Sequence, residues 1–169
     1  MNYADYKELD VLNGTGIRYS LFVSGCSHHC EGCFNKKAWD YKYGTLFTNN
    51  MENIIIKNLN NTKINIQGIS FLGGEPFENL DGLIPLALRV KKECKNKDIW
   101  IWSGYTYEQI IQDKVKLELL KLCDVLVDGK FIKEKKNLKL KFRGSSNQRI
   151  IDVQKSLKQN KVIPWEDNY

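Results

Sequence analysis

Cys26, Cys30 and Cys33 stand in C-x3-C-x2-C spacing inside the run Ser24-Gly25-Cys26-Ser27-His28-His29-Cys30-Glu31-Gly32-Cys33-Phe34-Asn35. The odd number is informative. Structural zinc sites are closed by four protein ligands, a redox pair needs two cysteines, and a cubane iron–sulfur cluster ordinarily takes four thiolates. Three thiolates on one short loop would leave one iron of such a cluster open to a small molecule. A Cys3His zinc knuckle competes, because His28 and His29 lie inside the loop. Neither has a common finger spacing, however, and no second C-x2-C or H-x3-H pair follows. Spacing alone leaves the two metal readings level. Cys94 and Cys123 are single residues in apolar surroundings and read as core thiols.

The elements that must position this loop follow from pattern. Ile17 to Val23 reads as a strand ending directly in the cysteines, Asn49 to Asn60 as a helix, and Ile66 to Leu72 as a second strand closed by Gly73-Gly74. Leu80 to Cys94 is helical in period, with Leu83, Leu86, Ala87 and Val90 on one face. Asp98 to Trp102 is a third strand, Glu108 to Leu122 one or two short helices, Asp124 to Val127 a fourth strand and Arg149 to Val153 a fifth. Strands alternating with helices argue for an α/β fold with a parallel sheet and right-handed crossovers. Ligands gather at the carboxyl ends of such strands. The cysteine loop, Gly73-Gly74-Glu75-Pro76, Ser103-Gly104 and Asp128-Gly129-Lys130 all fall there, so one rim should carry one site.

The 169 residues suit a single domain, 1–169, and no apolar run of about 18 residues offers a membrane span. No basic segment followed by an apolar run opens the sequence, which reads as cytoplasmic with reduced thiols. Net charge is +6, and between Lys130 and Arg143 seven basic residues face one acid, Glu134. Few aromatics interleave there, which argues for a solvated basic loop over direct nucleic-acid binding.

The stretch Gly14-x-Gly16-x-Arg18-x3-Phe22-x2-Gly25-Cys26-x3-Cys30-x2-Cys33-x-Asn35 resembles the signature of radical S-adenosylmethionine activating enzymes. Within that group it is similar to the anaerobic (class III) ribonucleotide reductase activating proteins. Gly73-Gly74-Glu75-Pro76, Trp102-Ser103-Gly104-Tyr105, Asp124 to Phe131 and Phe142 to Arg149 extend the likeness in order, from about Asn13 to Val153. The resemblance implies an open partial (β/α) barrel of about five mostly parallel strands; so short a chain cannot close the eight-stranded form of about 250 residues.

The same likeness implies that Cys26, Cys30 and Cys33 hold a [4Fe-4S] cluster whose open iron takes the methionine part of S-adenosylmethionine. Gly73, Gly74 and Glu75 would bind that methionine end, the glycines because a missing side chain lets backbone approach a ligand. Ser103 is a further expected contact, and Asp128 and Lys130 would contact the cofactor or a nearby cation. An aromatic residue before the third cysteine is common in the wider family; Gly32 stands there, so adenine would lie against the Gly32-Cys33-Phe34 backbone and the Phe34 ring. His28 and His29 receive no catalytic role, and Trp39, Trp100 and Trp102 read as packing. The implied reaction is reductive cleavage of the cofactor and formation of a glycyl radical on the reductase catalytic subunit. The electron would come from a one-electron donor such as flavodoxin. The competing readings are an activator of another glycyl-radical enzyme, a small-molecule radical enzyme, and a zinc or iron–sulfur module that binds nucleic acid.

Overall fold

The computed structural model describes residues 1–166. Its strands are β1 (Asn2–Asp10), β2 (Ile17–Val23), β3 (Thr45–Leu46), β4 (Ile66–Gly73), β5 (Asp98–Trp102), β6 (Val125–Asp128) and β7 (Arg149–Asp152). They form one sheet in the order β3-β1-β2-β4-β5-β6-β7. β2, β4, β5 and β6 run parallel, with Leu21 beside Phe71 and Ile101 beside Leu126. β1 and β7 flank them antiparallel.

Alternation along the strands separates two faces. Tyr19, Leu21 and Val23 of β2, Ile69 and Phe71 of β4, Ile99 and Ile101 of β5 and Leu126 of β6 join the main core. That core is completed by α1 (Asn49–Leu59), α2 (Leu80–Glu93), α3 (Tyr107–Gln112), α4 (Lys114–Leu122) and α5 (Val153–Gln159), which supply Ile55, Leu59, Leu83, Leu86, Ile110, Leu120 and Val153 among others. Each large side chain removed from water this way contributes about 1.5–3 kcal/mol. The predicted Glu108–Leu122 segment divides at Asp113, whose carboxylate accepts from the N–H groups of Val115 and Lys116 and so starts α4.

The opposite face is different in kind. It carries Trp100, Val125 and Val127, covered by Trp102, Phe142, Ile150 and Trp165. Beside them Arg18 is completely buried. Its guanidinium donates to Ser70 Oγ at 2.8 Å, the Thr15 carbonyl at 2.9 Å, the Ile69 carbonyl at 3.2 Å and Asp98 Oδ1 at 2.5 Å, and lies over the Trp100 ring. A buried cation persists only when paired and hydrogen-bonded, and this one ties β2, β4 and β5 together. Gly14, at φ +117°, leaves the room: a Cβ there would stand 2.8 Å from Arg18 Nε. The Gly14-x-Gly16-x-Arg18 part of the signature therefore braces the sheet.

Two expectations are corrected. The sheet has seven strands, not about five, and β7 is antiparallel to β6. β1 escaped notice because its pairing with β2 slips between Tyr3 and Asp5 and again between Lys7 and Asp10. Such bulges break the period of two by which a strand is recognised, and only Asp10 of β1 is fully buried. No helix among the described residues is long and apolar enough to cross a membrane.

Candidate metal and cofactor site

The cysteine loop leaves the carboxyl end of β2 and is pinned on both sides by backbone. The Gly25 N–H donates to the Ala38 carbonyl at 2.8 Å and the Cys26 N–H to the Trp39 carbonyl at 3.2 Å. On the β4 side, the Gly74 N–H donates to the Val23 carbonyl and the Glu75 N–H to the Gly25 carbonyl, each at 2.7 Å. Left-handed φ values at Gly25 (+97°), His29 (+47°) and Gly32 (+76°) curl the loop between these anchors.

Cys26, Cys30 and Cys33 are free thiols and line one cleft of about 530 Å³. Gly32, Phe34, Gly73, Gly74, Glu75 and Ser103 line it with them, which brings most of the predicted site residues to one place. Trp39 and Trp102 contribute to the wall, and the buried indole N–H of Trp39 has no hydrogen-bond partner. Burial pushes the Cys26 thiol up to about 11; the N–H groups of His28 and His29 oppose the rise, and the charges of Glu75 and Glu78 add to it. Cys94 and Cys123 are buried in the main core, with Sγ atoms engaged by Asn60 and by the Leu119 carbonyl. Neither can serve as a fourth ligand without unpacking that core.

The donor set fits an iron–sulfur cluster: three soft thiols around a cleft, with a buried N–H still lacking an acceptor. Among the described residues no three His, Cys, Asp or Glu side chains gather around a point for a single ion.

The two glycines of the β4 turn line the cleft and also make room for the chain's own backbone. A Cβ on Gly73 would stand 2.7 Å from the Val23 nitrogen and oxygen, and one on Gly74 would stand 2.4 Å from the Gly25 carbonyl oxygen. The close approach they permit is that of the chain's own cysteine loop.

Two carboxylates follow on that turn, and both reach the loop. Glu75, almost wholly buried, accepts from Phe77 N–H at 2.9 Å, Ser103 Oγ at 2.9 Å and Gly104 N–H at 2.8 Å, and meets His28 Nε2 at 3.0 Å. Glu78 accepts from the Ser27 N–H at 2.9 Å, Ser27 Oγ at 2.5 Å, Tyr41 OH at 2.5 Å and Tyr105 OH at 2.8 Å. Burial works to raise the Glu78 pKa, but the hydrogen bonds from Ser27, Tyr41 and Tyr105 outweigh it and hold the carboxyl below its ordinary range. Burial, and then the Glu78 hydrogen bond, push the Tyr105 phenol up to about 12. His28 packs edge-on to Tyr105 and His29 stacks on Trp39. Glu78, Tyr41, Tyr105 and the packing of both histidines were missed in the sequence; no spacing rule links positions 27, 41, 78 and 105.

Asp128 and Lys130 do not line the cleft, although Gly129 between them does. The Asp128 carboxylate is buried and already accepts from the Tyr107 N–H at 2.7 Å and from Arg149, by Nε at 2.9 Å and by Nη2. It holds the start of α3 against β7. Strand-end position alone could not distinguish this bracing from ligand contact. The basic stretch closes the cleft from the side: Phe131, Lys136, Leu138, Leu140, Phe142 and Arg143 line it, and Lys133 pairs with Glu31 of the loop at 2.7 Å. Leu138 and Phe34, 89% and 84% exposed, stand bare at its rim.

Comparison with known proteins agrees with this geometry. Residues 12–151 match the family model described as a 4Fe-4S single cluster domain. The chain is 47% identical over 152 residues to the anaerobic ribonucleoside-triphosphate reductase-activating protein of Haemophilus influenzae, covering 89% of this chain and 97% of that one. It is 45% identical over 150 residues to the protein of the same name from Escherichia coli K12, covering 88% and 96%. The counterpart from Enterobacteria phage T4 is 43% identical over 152 residues, covering 89% and 93%.

Proposed function

This chain belongs to the anaerobic ribonucleoside-triphosphate reductase-activating protein family, and from that premise we propose that it generates a glycyl radical on the catalytic subunit of that reductase. The observation that carries the reading is the opening of three loop thiols, and no other cysteine, onto a cleft walled by the β4 and β5 strand ends. Cys26, Cys30 and Cys33 would hold a [4Fe-4S] cluster there, and together with S-adenosylmethionine it would supply the one-electron, radical-forming chemistry that removal of a hydrogen atom from glycine requires.

The chain's own part is to hold and to shield. Cys26, Cys30 and Cys33 carry the cluster. The Gly73–Gly74 turn and Glu75 receive the methionine end, where an ammonium would replace the His28 ring as the fourth partner of the Glu75 carboxylate. Gly32, Cys33 and Phe34 flank the adenine, and Ser103 holds Glu75 in place. Trp39, Trp102 and Phe142 exclude water from the wall. Four parallel strands with every helix packed into one core support an open, partial barrel of the radical S-adenosylmethionine type, about half of the eight-stranded form. The exposed Phe34 and Leu138 beside basic residues suit a protein loop as substrate. A one-electron donor of the flavodoxin kind, in the cytoplasm, completes the cycle.

The test mixes reduced protein, S-adenosylmethionine and the reductase subunit without oxygen and looks for a glycyl radical by electron paramagnetic resonance. Cofactor cleavage with no radical on that subunit, and a radical on another glycyl-radical enzyme, would make the substrate wrong while leaving the chemistry standing. Absence of any cluster signal, with zinc bound instead, would remove the chemistry too.

A further inference from the structure

We propose that Glu78 is a positioning residue that fixes the Cys26 side of the cysteine loop and sets the reduction potential of the cluster held there. The proposal rests on the cluster reading above. Four donors converge on this one half-buried carboxylate, two from Ser27 and one each from Tyr41 and Tyr105. Ser27 is the residue after Cys26, and both its backbone N–H and its hydroxyl are committed, so the loop cannot rotate there without breaking two charge-assisted hydrogen bonds at once. Tyr41 adds a second restraint, because its ring lies where a Cβ of Gly25 would be, 2.1 Å away. One carboxylate thus holds residue 27 directly and residue 25 through a tyrosine, bracketing Cys26.

The charge has a separate consequence. Cluster potentials respond to net charge, hydrogen bonding and exposure around the sulfurs. A fixed negative charge beside Cys26, in a partly buried setting, opposes arrival of an electron and lowers the potential. Reductive cleavage of a sulfonium demands a strong reductant, so a carboxylate serves here where an amide of the same shape would not.

The experiment uses the full chain, reconstituted anaerobically, with the potential read by redox titration of the reduced-cluster paramagnetic signal. Glu78→Gln should retain iron and raise the potential by about 59 mV, a tenfold change in the one-electron equilibrium. Glu78→Asp keeps the charge but falls short of the four donors; it should hold a potential close to wild type and lose iron faster to a chelator. Equal potentials in wild type and iron-loaded Glu78→Gln overturn the proposal. Should Glu78→Gln fail to fold or load, Tyr41→Phe with Tyr105→Phe leaves the carboxylate in place and breaks two of its hydrogen bonds. Faster loss of iron from that variant is then expected, and a wild-type rate overturns the proposal. A wild-type protein that takes up no cluster instead brings down the functional reading, and the proposal with it.

Discussion

Replacement of Gly74 by Ala isolates a single contact in this site. The added Cβ would stand 2.4 Å from the Gly25 carbonyl oxygen and 3.0 Å from that of Ala38, and both are backbone atoms that cannot swing aside as a side chain can. The Gly25 oxygen must retreat by about 0.6 Å merely to stand at 3.0 Å. That same oxygen accepts the 2.7 Å hydrogen bond from Glu75 N–H, and the next residue is Cys26. Overpacking against backbone belongs toward the upper end of its usual range, about 2–3 kcal/mol. The stiffer unfolded chain offsets about 0.4–1 kcal/mol of this. A chain of this size should therefore lose roughly 2–10 °C in Tm.

Gly129→Ala is the control. Gly129 has φ +98° but open space around its Cβ position, with nothing nearer than 3.8 Å, so its cost of about 1–3 kcal/mol is torsional. Thermal unfolding of the cluster-free proteins, followed by iron stoichiometry after reconstitution, separates the two. Both variants should be less stable, and Gly74→Ala alone should load poorly, because only it moves the loop. A Gly74→Ala protein with wild-type Tm and full iron would show that this contact does not position the loop. So would poor loading in Gly129→Ala to the same degree.

Other outcomes follow from the same geometry. Cys26→Ala, Cys30→Ala and Cys33→Ala should each lose the cluster, while Cys94→Ala and Cys123→Ala should keep it, since both of those thiols are buried in the main core; iron analysis of all five decides. Lys135→Glu with Lys139→Glu should slow radical transfer to the partner at low salt and spare uncoupled cofactor cleavage. The deficit should fade once screening shortens to a few ångströms at about 1 M salt, read from rates across a salt series. Glu108, held at about 2 chiefly by its hydrogen bonds from Arg149, has a folded pKa below its unfolded one. Its contribution is present above about pH 4.5 and lost as pH falls toward 2. Because the pair is exposed, the stabilisation is about 1 kcal/mol or less. The Tm gap between wild type and Glu108→Gln should close in acid; a gap that widens there contradicts the assignment.

Local pattern carried the order of the central elements, the three-thiol loop and the rim at which it opens. These are local signals: alternation in Ile17–Val23, helical period in Leu80–Glu93, glycine turns at strand ends. It also separated Cys26, Cys30 and Cys33 from Cys94 and Cys123, because a triplet within eight positions differs in kind from single residues in apolar runs. β1 was illegible because two bulges and a solvated face erase its period, and the direction of β7 was illegible because pairing sense has no local signature. Asp128 looked like a ligand from its place at the end of β6, yet only the fold brings Arg149 and the Tyr107 N–H to it. Glu78 carries no signal in the sequence, and only the fold brings Ser27, Tyr41 and Tyr105, far apart along the chain, to it. Residue type and spacing specify which groups can do chemistry. Which of their lone pairs remain available depends on partners brought together by long-range packing, and those have no trace in the linear order.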